Sequence, residues 1–250
     1  MRSFWLAIQF LTRLPTPAIE SPTQKEFGTA IYHYPIVGFI LGFLLFTVAS
    51  LLSVAVSASS TEANSVLAVL TLIVWVLLTG ALHIDGLADS ADAWIGGYGS
   101  KTRTLKIMKD PTCGPAGVTS IILLLLVKFA LIQLCFEVGL HYLIAAPLIA
   151  RASIQALLGT TRYAREEGLA SAMALQMSLH KALIGITLTT LFILIYFPLL
   201  YCLLTALFCS LVWWGMRHLM LKRIDGFTGD TAGAWIEITE CLCLMPLLWL

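Results

Sequence analysis

Long apolar runs separated by short polar segments fill the chain. Crossing the hydrocarbon core of a bilayer takes about 20 mostly apolar residues. Seven stretches are candidates, at about 34–56, 66–82, 118–136, 138–158, 183–197, 199–216 and 234–250. The fourth is the most interrupted, by Pro147 and Arg151. Between the fifth and sixth, Pro198 forbids a continuous helix, so the pattern predicts a tight hairpin. The first residues are apolar but broken by Gln9 and Arg13 and stopped by Pro15 and Pro17. That predicts a short interfacial or re-entrant helix rather than a cleaved leader.

The basic residues sort themselves around these spans. Arg2, Arg13 and Lys25 precede the first, and Lys101, Arg103, Lys106 and Lys109 lie between the second and third. Arg151, Arg162, Arg165 and Lys181 lie at or beyond the end of the fourth, and Arg217, Lys222 and Arg223 follow the sixth. Of the 15 Lys and Arg residues, only Lys128 falls elsewhere, inside the third span. Positive-inside logic therefore expects the N-terminus and all the long loops in the cytoplasm, with the C-terminus outside. Composition agrees: 59% hydrophobic and 12% charged residues leave too little polar surface to coat a water-soluble globule. A net charge of +1 excludes an electrostatic footprint for nucleic acid. The expectation is one integral membrane domain over residues 1–250, an all-α polytopic transmembrane helix bundle. The six cysteines have no C-x-x-C spacing and read as small apolar side chains.

The acids are placed less uniformly. Asp85, Asp89 and Asp92 follow span two at i, i+4, i+7 and so fall within about 60° of one another on a helix. Like charges on one face repel, and a cation is the usual remedy. His83 lies just upstream, to join the cluster or cap it. Near the other end, Asp230 and Glu237 are again i, i+7, with Glu240 one turn further into the last apolar span. An ionised side chain there is costly and faces a polar interior. Carboxylates at membrane depth suit hard Mg²⁺ or Mn²⁺ ions, which keep waters and engage phosphate oxygens. Arg103, Lys106 and Lys109 form a cationic stretch before a loop rich in Pro and Gly. Acids beside such a stretch suit diphosphate chemistry, in which metal bridges phosphate oxygens and cations absorb the leaving charge. Arg151 is open to two readings, snorkelling to the interface or clamping a phosphate.

Together these segments resemble the cobalamin synthase family, the adenosylcobinamide-GDP ribazoletransferases. The pieces that carry the resemblance run in order from Phe10-Leu11-Thr12-Arg13-Leu14-Pro15 through Leu82-His83-Ile84-Asp85-Gly86-Leu87-Ala88-Asp89 to Ile107-Met108-Lys109-Asp110. They continue with Ala146-Pro147 and Arg151, Tyr163-Ala164-Arg165, and Thr228-Gly229-Asp230 with Gly233-Ala234 and Glu237. Two departures stand out: Gly80-Ala81 replaces a glycine pair before Leu-His, and Asp225-Gly226-Phe227 replaces one before Thr-Gly-Asp. Asp225 therefore inherits no role.

The resemblance implies a Mg²⁺-dependent enzyme of the bacterial inner membrane, with its site on the cytoplasmic side. It would join adenosylcobinamide-GDP to α-ribazole or its 5′-phosphate and release GMP. Asp85, Asp89, Asp92 and Asp230 are then expected to hold the metal, with Glu237 as ligand or support. Lys109, Arg103 and Lys106 would neutralise phosphate, helped by Arg165, with Arg151 and His83 also on the substrate. Asp92 is the first choice for the general base, with Asp89 beside it. The lipid bilayer is the other expected partner, and the sequence leaves room for a homo-oligomer. Two other readings compete. A CDP-alcohol phosphotransferase needs D-G-x-x-A-R, whereas Asp85-Gly86-Leu87-Ala88 is followed by Asp89. A coupled transporter would carry its charges near mid-membrane.

Overall fold

The computed structural model describes residues 1–56, 60–165, 173 and 176–250. Two short helices, α1 (Arg2–Leu11) and α2 (Gln24–Ala30), precede the long ones. Then come α3 (Tyr34–Val56), α4 (Thr61–Thr79), α5 (Leu82–Gly96) and the short α6 (Lys101–Ile107). α7 (Pro115–Val138), α8 (Tyr142–Thr160), α9 (Leu179–Tyr196), α10 (Leu199–Ile224) and α11 (Gly229–Leu244) complete the chain. Among the described residues, seven helices are long and apolar enough to cross a membrane. They match the seven predicted spans in order, and Phe197 and Pro198 make the expected hairpin between α9 and α10.

The boundaries differ where local chemistry intervenes. Ser60 caps α4 by accepting from the Ala63 N–H at 3.2 Å, which starts that helix earlier than the apolar run does. The predicted second span reached residue 82, but the chain breaks at Gly80 and Ala81, both left-handed at φ 63° and 56°. Leu82 therefore opens a separate helix, α5, whose direction owes nothing to α4. Left-handed backbone costs an L-residue about 1–2 kcal/mol, so Ala81 holds its conformation against strain. Asp225, at φ 58°, does the same at the C-terminus of α10.

Packing is tightest where glycines let backbones touch. On α3, a Cβ at Gly38 would strike the Pro147 carbonyl of α8, and one at Gly42 would sit 2.7 Å from Ile144. α11 lies against both α5 and α8, and α8 and α11 are the most buried of the long helices. α9 and α10 instead turn Leu183, Leu188, Leu203, Leu207 and Leu211 outward. An apolar belt of that extent is incompatible with an aqueous surface and suits acyl chains.

The polar segments collect at one end of this bundle. The Arg13 N–H donates to the Leu78 carbonyl at 2.7 Å, and Lys101 meets Asp225 at 2.7 Å. Arg217 donates to the Thr160 carbonyl at 2.7 Å. The loops carrying the basic clusters are thus tied to one another. Ala81→Gly should relieve the left-handed strain at that position and stabilise the protein by about 0.5–1 kcal/mol despite the flexibility it adds. Thermal unfolding in detergent would register this as a higher midpoint with unchanged activity.

Candidate active site

Two helices and one short segment build the site. α5 sets Asp85, Asp89 and Asp92 along one face, as the spacing predicts. α11 begins with a capping box in which the Thr228 hydroxyl accepts from the Thr231 N–H and Thr231 returns a bond to the Thr228 N–H. That start puts Asp230 in the first turn. Gly86 then lets α11 come close: a Cβ there would lie 2.7 Å from the Asp230 carbonyl oxygen. The two acidic stretches, about 145 residues apart in sequence, thereby meet backbone to backbone.

The third piece arrives through a two-bond parallel bridge. The Ala164 N–H donates to the Phe227 carbonyl at 2.8 Å, and the Phe227 N–H donates to the Arg162 carbonyl at 3.0 Å. Gly226 is needed here because a side chain would run into the Arg162 carbonyl. With 162–165 pinned to the entry of α11, Arg165 donates to the Asp230 carboxylate at 2.7 Å.

Asp89 carries the electrostatic consequence. Partial burial raises its carboxyl to about 6, and the charges of Asp85, Asp230 and Asp92 push the same way against Arg165. Because this lies above the ordinary carboxylate value, the charged cluster destabilises the fold above about pH 6. The penalty is relieved as pH falls from there towards the unfolded value. Unmet negative charge with oxygen-only donors is what a hard divalent cation answers. Among the described residues, though, no three acidic, His or Cys side chains are drawn together closely enough to hold a metal ion by themselves.

The other expected site residues separate into distinct settings. Asp92 accepts from the Gly114 N–H at 2.6 Å and the Gly117 N–H at 2.9 Å, satisfying free donors at the N-terminus of α7. Each of its two oxygens accepts one bond, which joins α5 to the start of α7. His83 is buried on α5, and neither ring nitrogen has a partner. Burial, then the Arg151 guanidinium, press it down to about 3, so its imidazole is neutral. Arg103, Lys106 and Lys109 are exposed on and just after α6. α6 packs on the end of α5 through the Thr104 hydroxyl, which donates to the Gly97 carbonyl at 2.9 Å. Arg223 of α10 lies beside it, over the rings of Trp94 and Tyr98.

Glu237 and Arg151 are buried in a network that joins three spans. Lys128 of α7 sits 2.5 Å from both Glu237 and Glu240 of α11, and Arg151 of α8 pairs with Glu240. Lys128 also lies 4.6 Å from the Trp75 ring centre of α4. Arg151 is in mid-helix and fully buried, so it neither snorkels nor reaches the exposed acids. The expectation that Glu240 faces a polar interior is met; Lys128 as its partner was not foreseen. A single lysine deep in a span, read against two acids at i, i+3 in another, was the available signal. Removing one member strands a buried charge, so Lys128→Met should destabilise by about 3–5 kcal/mol. Adding Glu237→Leu should recover part of that loss, measured by thermal unfolding.

The fold and site define a multi-pass membrane protein with an acidic centre edged by Arg165. The match to known proteins is specific. The cobalamin-5-phosphate synthase family model matches residues 3–248. An adenosylcobinamide-GDP ribazoletransferase of Acinetobacter baumannii is 42% identical over 250 residues, covering 98% of this chain and 96% of its own. One of Pseudomonas putida is 42% identical over 256 residues, with 99% and 98% covered. One of Stutzerimonas stutzeri is 41% identical over 243 residues, with 97% and 96% covered. No solved structure matches the chain. The chain belongs to the cobalamin-5-phosphate synthase family.

Proposed function

We propose that the protein is an adenosylcobinamide-GDP ribazoletransferase, joining that corrinoid nucleotide to α-ribazole or its 5′-phosphate. A ribose hydroxyl attacks the phosphorus on the cobinamide side of the diphosphate. The bond from that phosphorus to the bridging oxygen breaks, and its electron pair leaves with GMP. The observation that carries the reading is the seating of Asp230 against Gly86 of α5, which joins both acidic stretches and Arg165 in one place.

Each task then has residues to perform it. Of Asp85, Asp89 and Asp230, one or two would hold Mg²⁺, which when bound would neutralise diphosphate oxygens. Arg165 and the exposed Arg103, Lys106 and Lys109 attract the diphosphate and offset the charge that develops on the departing GMP. The carboxylate of this cluster that stays off the metal accepts the proton of the attacking hydroxyl. Asp92 positions the loop before α7 through Gly114 and Gly117, close to Lys109 in the chain. The site is assigned to the cytoplasmic face of a bacterial inner membrane because it shares its end of the bundle with the basic loops. A CDP-alcohol phosphotransferase is not favoured, since Asp89 and Ser90 occupy the places of that motif's alanine and arginine and the family is a different one.

Assay of the purified protein with both substrates should give GMP and a joined corrinoid only when Mg²⁺ is present. Asp89→Asn should lower turnover by at least about 10²-fold. In metal-free buffer at pH 7.5, a value chosen as about 1.5 units above the Asp89 midpoint, the same variant should melt higher than wild type. Relief of like-charge repulsion is worth up to about 1 kcal/mol there. Mg²⁺ should raise the melting temperature of wild type more than that of the variant. Near-normal turnover of Asp89→Asn at low Mg²⁺ would remove the metal assignment.

A further inference from the structure

A cavity of about 240 Å³ opens beside the acids, and its walls are of another character. Phe10, Tyr34, Leu158 and Ile236 line it, from four different helices. Exposed Asp85 and half-buried Asp230 stand at its open end. Within the wall is His83, only 4% exposed, with both ring nitrogens unpartnered. A buried imidazole without a hydrogen bond inside an apolar chamber calls for a ligand that brings one polar atom.

Size and polarity select the occupant. Pockets for whole drug-sized ligands run from about 300 to 1,000 Å³, so this one takes a single ring system. A corrin macrocycle or a complete nucleotide would not enter. Guanine bears donors and acceptors around most of its edge; inside the mouth, where Asp85 and Asp230 stand, the walls offer only His83 and a Tyr34 hydroxyl already given to Met173 Sδ, which would leave most of them unpaired. An acyl chain would suit the walls but leave His83 unanswered. A methylated benzimidazole, the base of ribazole, is apolar except for one free ring nitrogen.

We propose that this cavity is the subsite for the base of the acceptor riboside. His83 donates its N–H to the free ring nitrogen, and the ribose is left at the mouth beside Asp85, one helical turn from Asp89. The inference rests on the transferase reading above. It adds the specificity residues: Leu158 and Ile236 for shape, His83 for the nitrogen.

The test uses the full-length protein in lipid nanodiscs. Leu158→Phe and Ile236→Phe fill the cavity. Each should raise the KM for α-ribazole by about 10-fold or more, the scale of steric discrimination in an apolar pocket. The KM for adenosylcobinamide-GDP should stay within about twofold, because its binding groups are untouched. Replacing the free ring nitrogen of the acceptor by C–H should raise KM in wild type but add nothing in His83→Phe, as a double-mutant cycle requires. A rise confined to the corrinoid substrate, or equal for both, overturns the proposal, as does full additivity in the cycle. If wild type gives no turnover with the two substrates, the transferase reading falls. The cavity is then judged by calorimetry with 5,6-dimethylbenzimidazole alone. Binding weakened by Leu158→Phe and Ile236→Phe supports the cavity; absent or unaltered binding overturns it. Should one variant fail to fold, the other carries the same comparison.

Discussion

The backbone contact between Gly86 of α5 and Asp230 of α11 is the constraint from which the rest of the site follows. Any side chain at position 86 would occupy the space of the Asp230 carbonyl. With the two helices in contact, acids from distant parts of the chain share one environment, and Arg165 reaches the same carboxylate. The bridge at Tyr163 and Phe227 depends in turn on α11 starting where it does. Moving α11 by a helical turn would dissolve the cluster without altering a single acidic residue.

A second set of charges holds that contact in place from below. Lys128, Glu237, Glu240 and Arg151 tie α7, α8 and α11 together inside the bilayer, where each charge is tolerable only because the others are present. Two acidic groups of opposite temper thus lie along α11. Glu237 and Glu240 are compensated and buried, and they organise. Asp230 and its neighbours on α5 are under-compensated and accessible, which is why the proposed chemistry is put there. Stability concentrated in the membrane interior permits repulsion at the membrane edge.

The strained backbone points to the same economy. Ala81 and Asp225 occupy left-handed positions immediately before α5 and before the entry to α11. They are hinges in the literal sense that the chain changes direction there, setting the angle of both acidic helices. Asp225 is not wasted on its turn, since its carboxylate pairs with Lys101 and so anchors α6. Gly80 closes α4 in the ordinary way.

Much of this was legible along the chain. Periodicity and length determined the seven apolar helices, because burial in hydrocarbon demands long uncharged runs whatever the packing. The i, i+4, i+7 spacing put three aspartates on one face of α5, because helix geometry is local. The motifs also carried the family. What they could not convey was which acids are free. Asp92 and Asp89 look equivalent in sequence, yet Asp92 is engaged by Gly114 and Gly117 and Asp89 is not. Glu237 shares a helical face with Asp230, yet Lys128 from another span claims it. Those outcomes rest on which helix packs against which, and that is decided by close contacts at Gly38, Gly42 and Gly86 between residues far apart in the chain. Local pattern determines what each helix presents. Only tertiary packing decides what answers it.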